Sequence, residues 1–300
     1  MTAPFGVPAA PSGMATEREL EGRTGYDPGF LGTDVPLPVP PADLPTVLLH
    51  YLHYSVLFRP DRRFAAVTAL GLDGARLQTI GRTDRWRLDP RLAAELQAGP
   101  AVYADNSFDR GHLVMRASST WGETEEEARQ AEADTFFFPN AAPQAAAFNH
   151  GRTLWLGLED YLQDHAAAFD RKLAVFAGPV LEPADPPYRG VQVPVRFWKV
   201  VAFVQDGELA ATGYVLDQSP LVGDLGASAE AGAMPPLGPF RTFQVPVAHI
   251  AALTGLRLDR LSIADVLKNA PAEAGGAPGP GKEADSWVRL TSPADVVLPG

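Results

Sequence analysis

The 300-residue sequence contains no cysteine. Disulfides, thiolate zinc sites and cysteine nucleophiles are therefore excluded, which suits a reducing compartment. Lysine is nearly as scarce, four residues against 21 arginines. No apolar run approaches the ~18 residues that a membrane crossing needs. The opening stretch MTAPFGVPAAPSGMATERELEG has no basic segment followed by an apolar one, so no Sec-type signal peptide is read there. The expectation is a soluble, cytoplasmic chain with no membrane association, export by a signal-independent route being left open. Acidic residues outnumber basic ones 36 to 25, for a net charge of −11, and nothing overall marks a polyanion partner. What is present, 46% hydrophobic and 20% charged residues, is ordinary globular composition and excludes fibrous or wholly disordered classes.

Proline and glycine punctuate the chain into three parts. Residues 1–45, ending in PLPVPPADLP, read as an extended N-terminal arm anchored by Tyr26, Phe30 and Leu31. Residues 46–268 read as one mixed α/β domain, and 269–300 as a flexible linker and tail in which SWVRLTSPADVVL holds a tail strand or is disordered. Within the domain, VLLHYLHYSVLF and FAAVTAL around RPDRR predict two strands joined by a turn. A short helix over 92–98 is expected to stop at Gly99-Pro100. Thr124-x-x-Glu127 predicts a capped helix over about 125–133, and 143–169 carries a longer helical pattern interrupted near Gly151. LAVFAGPVL, VRFWKVVAFV and LAATGYVL predict strands, and QVPVAHIAALTG a strand and then a helix ended by Gly255. The expected class is α+β, with a central, antiparallel-rich sheet and flanking helices.

The densest polar cluster is Asp109-Arg110-Gly111-His112. A histidine beyond such a turn can serve as a general base, its neighbouring arginine meeting an anion. Downstream, Asn149 offers a carbonyl oxygen and Glu159 a carboxylate, hard donors that suit Mg²⁺ with several retained waters. Phe136-Phe137-Phe138 reads as a core strand, Glu125-Glu126-Glu127 as a solvated first helical turn, and His50 and His53 as packed strand histidines. Packing and solvation are the preferred readings for Arg116 and Trp121, contact with a polyanion backbone being the alternative.

The order DRGH, then Asn140-x-x-Pro143-Gln144, then Asn149 and Trp155-x-x-Leu158-Glu159 resembles the DNA/RNA non-specific endonuclease family, the ββα-metal nucleases, in a bacterial branch. Ala177-Gly178-Pro179-Val180, Phe197-Trp198-Lys199-Val200, Tyr214-Val215-Leu216-Asp217-Gln218 and Phe243-x-Val245 through Thr254-Gly255-Leu256 extend the likeness. The resemblance implies a ββα-metal motif in a nuclease domain over 46–268 and sequence-independent hydrolysis of DNA and RNA. It implies His112 as general base, Asn149 as the sole direct ligand of one Mg²⁺ (Mn²⁺ substituting), and Glu159 as holder of metal-bound waters. Arg110 is the phosphate cation beside the scissile group and Arg85 the transition-state contact, with Arg82 and Arg87 as rivals. Asp109, Asn140 and Gln144 are further substrate contacts. A homodimer is implied by the resemblance alone. Control by an inhibitor or regulatory partner, as for a toxin or defence effector, is expected of a nuclease without a signal peptide.

Two features depart from the family pattern. Asn149 and Trp155 lie six apart instead of four, and ten residues of unbroken helix from Asn149 to Glu159 would span about 15 Å and leave them about 80° apart. A break around His150-Gly151-Arg152 is therefore expected, or else an outer-shell role for Glu159. In Arg85-Trp86-x-x-Asp89-Pro90 the arginine is displaced by one position.

The charge is unevenly spread. Residues 51–120 hold ten arginines against seven acids, a local +3, while 121–170 hold two against ten, a local −8. An acidic helical segment facing away from a basic one would allow a phosphate substrate, bound weakly and with strong salt sensitivity. Two other readings share the fold: a catalytically inactive binding module, and a phosphodiesterase of small nucleotides.

Overall fold

The computed structural model describes residues 15–145, 162–163, 166–168, 170–222, 241–269 and 287–290. Their main feature is an eight-stranded sheet in the order β1-β2-β3-β6-β9-β10-β11-β12, every neighbouring pair antiparallel. Its strands are β1 (Val47–His50), β2 (Tyr54–Arg59), β3 (Phe64–Asp73), β6 (Lys172–Val180), β9 (Arg196–Gln205), β10 (Glu208–Asp217), β11 (Arg241–Val245) and β12 (Val288–Arg289). Two hairpins stand apart from it, β4 (Phe108–His112) with β5 (Ala141–Ala145), and β7 (Pro187–Tyr188) with β8 (Val191–Gln192). The chain is mixed α+β around a large antiparallel sheet. No helix among the described residues is long and apolar enough to cross a membrane.

Successive side chains of a strand face opposite sides, and here both sides are apolar. Leu173, Val175 and Ala177 of β6 join one core with Phe108, Leu113, Val114 and Phe137. Ala174 and Phe176 join the other with Tyr26, Val35, Val247, Ile250 and Leu261. The sheet is thus a middle layer. The β4–β5 hairpin and the start of the N-terminal arm, Ala15 and Leu20, lie on one face; the arm from Tyr26 to Val35 and the helices Val247–Thr254 and Asp259–Ile263 lie on the other.

The capped helix forms over Glu125–Asp134, where the Thr124 hydroxyl accepts a hydrogen bond from the Glu127 N–H. Gly255, at φ 69°, ends Val247–Thr254 as a left-handed cap. Three local expectations are corrected. The run 47–58 is two strands, because the chain reverses at 51–53: Tyr51 N–H bonds to Tyr54 C=O, and His53 takes φ 70° with its ring stacked 3.5 Å from Trp121. Pro100 starts the helix Pro100–Tyr103 at its first turn, where a missing N–H costs nothing, and only Ala94–Leu96 is helical before it. Phe136–Phe138 form no strand; all three are buried, with Phe138–Asn140 in a 3₁₀ turn around Pro139. The helical pattern over 143–169 and its break near 150–152 lie largely outside the described residues, as does the helical part of the expected ββα motif.

Candidate active site

Strand pairing sets which side chains can act together. Arg110 opposes Pro143 and His112 opposes Ala141, while Asp109 opposes Gln144. Arg110 and His112 therefore share one face of the hairpin, and Asp109, Gly111 and Gln144 the other. On the first face the His112 ring lies 4.7 Å from Trp86 and 5.1 Å, edge-on, from Phe136. The Arg110 guanidinium sits 5.6 Å from the Trp86 ring, and that of Arg82 5.4 Å from Phe136. Two aromatic rings thus form the floor on which the base and two cations rest.

Neighbouring segments hold this floor in place. Arg87 N–H bonds to Phe136 C=O and Phe138 N–H to Arg87 C=O, tying the Trp86 segment to the phenylalanine run. Glu132, fully buried, accepts from both the N–H and the hydroxyl of Thr83, fixing the loop that carries Arg82. Asp89 is buried and accepts from the Tyr51 hydroxyl at 2.6 Å and from Arg91 at 2.7 Å. Glu132 and Asp134 correct the expectation of an acidic helix turned outward: Asp134, also buried, pairs with Arg23 of the arm at 2.6 Å. Nothing in their spacing distinguishes them from the solvated glutamates before them.

The His112 imidazole has its pKa pushed down to about 3, first by burial and then by the positive charges of Arg82, Arg116 and Arg110. The residue is only half-buried, but its Nε2 atom lies inside the protein. A neutral ring beside several cations can accept a proton and can do so next to an anion.

The remaining candidates separate by geometry. Arg82 is exposed, near His112, and bonds to Asp84 at 3.1 Å. Arg85 is exposed on the same loop. Arg87 points elsewhere: it pairs with Glu19 at 2.6 Å and lies on the Phe137 ring, so its charge is spent on the arm. Asn140, expected as a substrate contact, lies inside the fold. Its side chain is fully buried, accepting from Val114 N–H and donating to Val114 C=O and Thr135 C=O, which clips the chain beyond His112 to the start of β5. Gln144 is likewise buried, on the face away from His112, and a Cβ on residue 111 would sit 2.1 Å from its amide carbon. Asp109 shares that face. Trp121 donates to Gly71 C=O and is a packing residue. Asn149, Glu159 and His150 lie outside the described residues, and no cluster of three or more His, Asp or Glu occurs among those described.

Residues 37–263 match the DNA/RNA non-specific endonuclease family. The chain belongs to that family. A relative in Sinorhizobium fredii, the uncharacterized protein y4fB, is 36% identical over 282 residues, covering 87% of this chain and 42% of the relative. The chain thus spans less than half the length of this curated relative. A chain of the crystal structure of the EndoG/EndoGI complex, described as showing the mechanism of EndoG inhibition, is similar with a TM-score of 0.51 and 19% identity. The match covers 71% of this chain and 86% of that one, and it shows the endonuclease fold alone.

Proposed function

We propose that this member of the non-specific endonuclease family hydrolyses phosphodiester bonds of DNA and RNA without reading sequence, using a divalent cation. The observation that carries the reading is His112, held neutral on one face of a hairpin beside Arg110. The imidazole of His112 is the group that takes the proton from the attacking water. Arg110 holds a non-bridging oxygen of the scissile phosphate, and Arg82 or Arg85 approaches from the loop, Arg82 being the one beside His112. Trp86 and Phe136 keep Arg110 and His112 in register and exclude water behind them.

The described side chains around His112 are cations and aromatic rings, so a divalent cation depends on the oxygen donors in 149–159. Asn149 and Glu159 have the donor chemistry for Mg²⁺, with Mn²⁺ substituting, Asn149 directly and Glu159 through water. Bound there, the ion supplies charge neutralisation to the leaving 3′-oxygen.

The test is plasmid nicking with Mg²⁺, with EDTA, and with His112→Ala. Nicking that needs the metal and falls by about 10²–10⁴-fold in the variant is expected; undiminished nicking by the variant refutes the base assignment. Nicking absent throughout would favour the inactive binding module, and cleavage of a small chromogenic diester in preference to duplex would favour the nucleotide phosphodiesterase.

Such an activity requires restraint in its host, and we infer control by a protein inhibitor or partner, as for a toxin or defence effector. EndoG, in the structurally similar complex, is subject to inhibition. Host growth and DNA left intact by overexpression of a chain that is active when purified supports control; toxicity equal to that of an ungated nuclease counts against it.

A further inference from the structure

We propose that Arg116 is a second phosphate-binding cation of this site, holding a polynucleotide phosphate next to the one addressed by Arg110 and His112. The nature of the anion rests on the nuclease reading above. Arg116 follows β4 by four residues, at the start of the short helix Arg116–Ser119. The chain between is fixed: Leu113 and Val114 are buried, and both are clipped to Asn140, Leu113 by its N–H to the Asn140 carbonyl and Val114 by the side-chain bonds already described. Arg116 is half-buried and donates from Nη1 to the Ile80 carbonyl at 3.1 Å, two residues before Arg82. It therefore joins the two segments that flank the base, the end of β4 and the Arg82 loop. One of its five donors is used in that bond.

Among the described residues its charge has no carboxylate partner. Arg76 pairs with Asp73, Arg87 with Glu19, Arg91 with Asp89 and even the exposed Arg82 with Asp84. Arg116 and Arg110 have no carboxylate at ion-pair distance among the described residues, although neither is fully exposed. A partly desolvated guanidinium without a counter-charge is costly, and an anion docked on its planar fork recovers that cost. The charge of Arg116 is also one of those felt by His112, which places it within electrostatic reach of the reacting group. Two arginines whose charges His112 feels, neither with a carboxylate partner among the described residues, suit the repeated phosphates of a nucleic-acid backbone better than a single isolated anion.

The test uses the full chain with His112→Ala to prevent cutting, binding a short fluorescent duplex across a salt series. Adding Arg116→Gln should weaken binding about tenfold and reduce the slope of log K against log salt by about one, the signature of one lost phosphate contact. Arg116→Lys keeps the charge and loses the fork, so it should hold the slope and lose less affinity. An unchanged slope in the Gln variant overturns the assignment. So does an equal fall in both variants accompanied by a lower melting temperature, which marks the Ile80 bond as a structural tie. If the wild-type chain fails to nick DNA yet the slope responds as stated, the nuclease reading fails and the Arg116 site stands.

Discussion

At neutral pH the His112 ring is unprotonated, because burial and the charges of Arg82, Arg116 and Arg110 hold its pKa down to about 3. An unfolded histidine titrates near 6.5, so the unfolded chain binds this proton first. The stabilisation is complete above about pH 6.5 and is lost as pH falls from there towards 3. His50 and His53, also lowered by burial, act in the same sense, whereas Asp185, raised to about 6 by burial, favours the folded state at lower pH. Melting His112→Asn beside the parent from pH 7.5 to 4 isolates the one contribution: the variant should lose less stability on acidification, and parallel curves would refute the depressed pKa. Kinetics carry a second sign. A bound phosphodiester offsets the arginines, so the acid limb of kcat should lie at higher pH than that of kcat/KM; coincident limbs would place the phosphate away from His112. Asn140 makes a contrasting prediction. Asn140→Ala strands the Val114 N–H and two carbonyls inside the protein, and should cost about 2–4 kcal/mol by urea unfolding, where a true substrate contact would change activity alone.

The β4–β5 hairpin works because Gly111 leaves room for Gln144 across it. Gly111→Ala puts a methyl group 2.1 Å from the glutamine amide, and overpacking of this kind costs about 1–3 kcal/mol. The same change should twist Arg110 and His112 out of register and remove most activity. Gly111→Ala with Gln144→Ala should recover stability, a coupling a double-mutant cycle detects; additive losses would show that the notch does not set the hairpin. Elements of this kind differed in how visible they were in the sequence. β6, β9 and β10 were legible because both their faces are buried, and the helix Glu125–Asp134 because Thr124 caps it locally. The turn at His53 was not, since its stack on Trp121 is a long-range contact. DRGH pointed to the site, and strand alternation alone pairs Arg110 with His112. The roles of Asn140, Glu132 and Arg116 depend on which carbonyl or N–H each side chain reaches, and residue type does not encode that.

For the molecule as a whole, the −11 charge bears on affinity through its placement. Much of the acidity near the site is consumed inside the fold. Glu132 holds the Thr83 loop, Asp134 the arm through Arg23, and Asp89 the Arg91 turn. Arg87, Arg76 and Arg91 are neutralised in turn by Glu19, Asp73 and Asp89. Among the described residues around His112, the cations left to meet a polyanion are few: Arg110, Arg116, the exposed Arg85, and Arg82 once it releases Asp84. Counterion release scales with the number of phosphates neutralised, by a slope of about −0.9 for each on B-DNA. A site with four such arginines should give a slope of about −3 to −4, steep enough that raising salt about fourfold weakens binding by roughly two orders of magnitude. Measuring the binding constant of the His112→Ala chain over that range checks this. A slope much steeper than four would mean that further cations, outside the described residues or on a second copy, contact the backbone; a slope near zero would mean that the arginines around His112 do not bind phosphate.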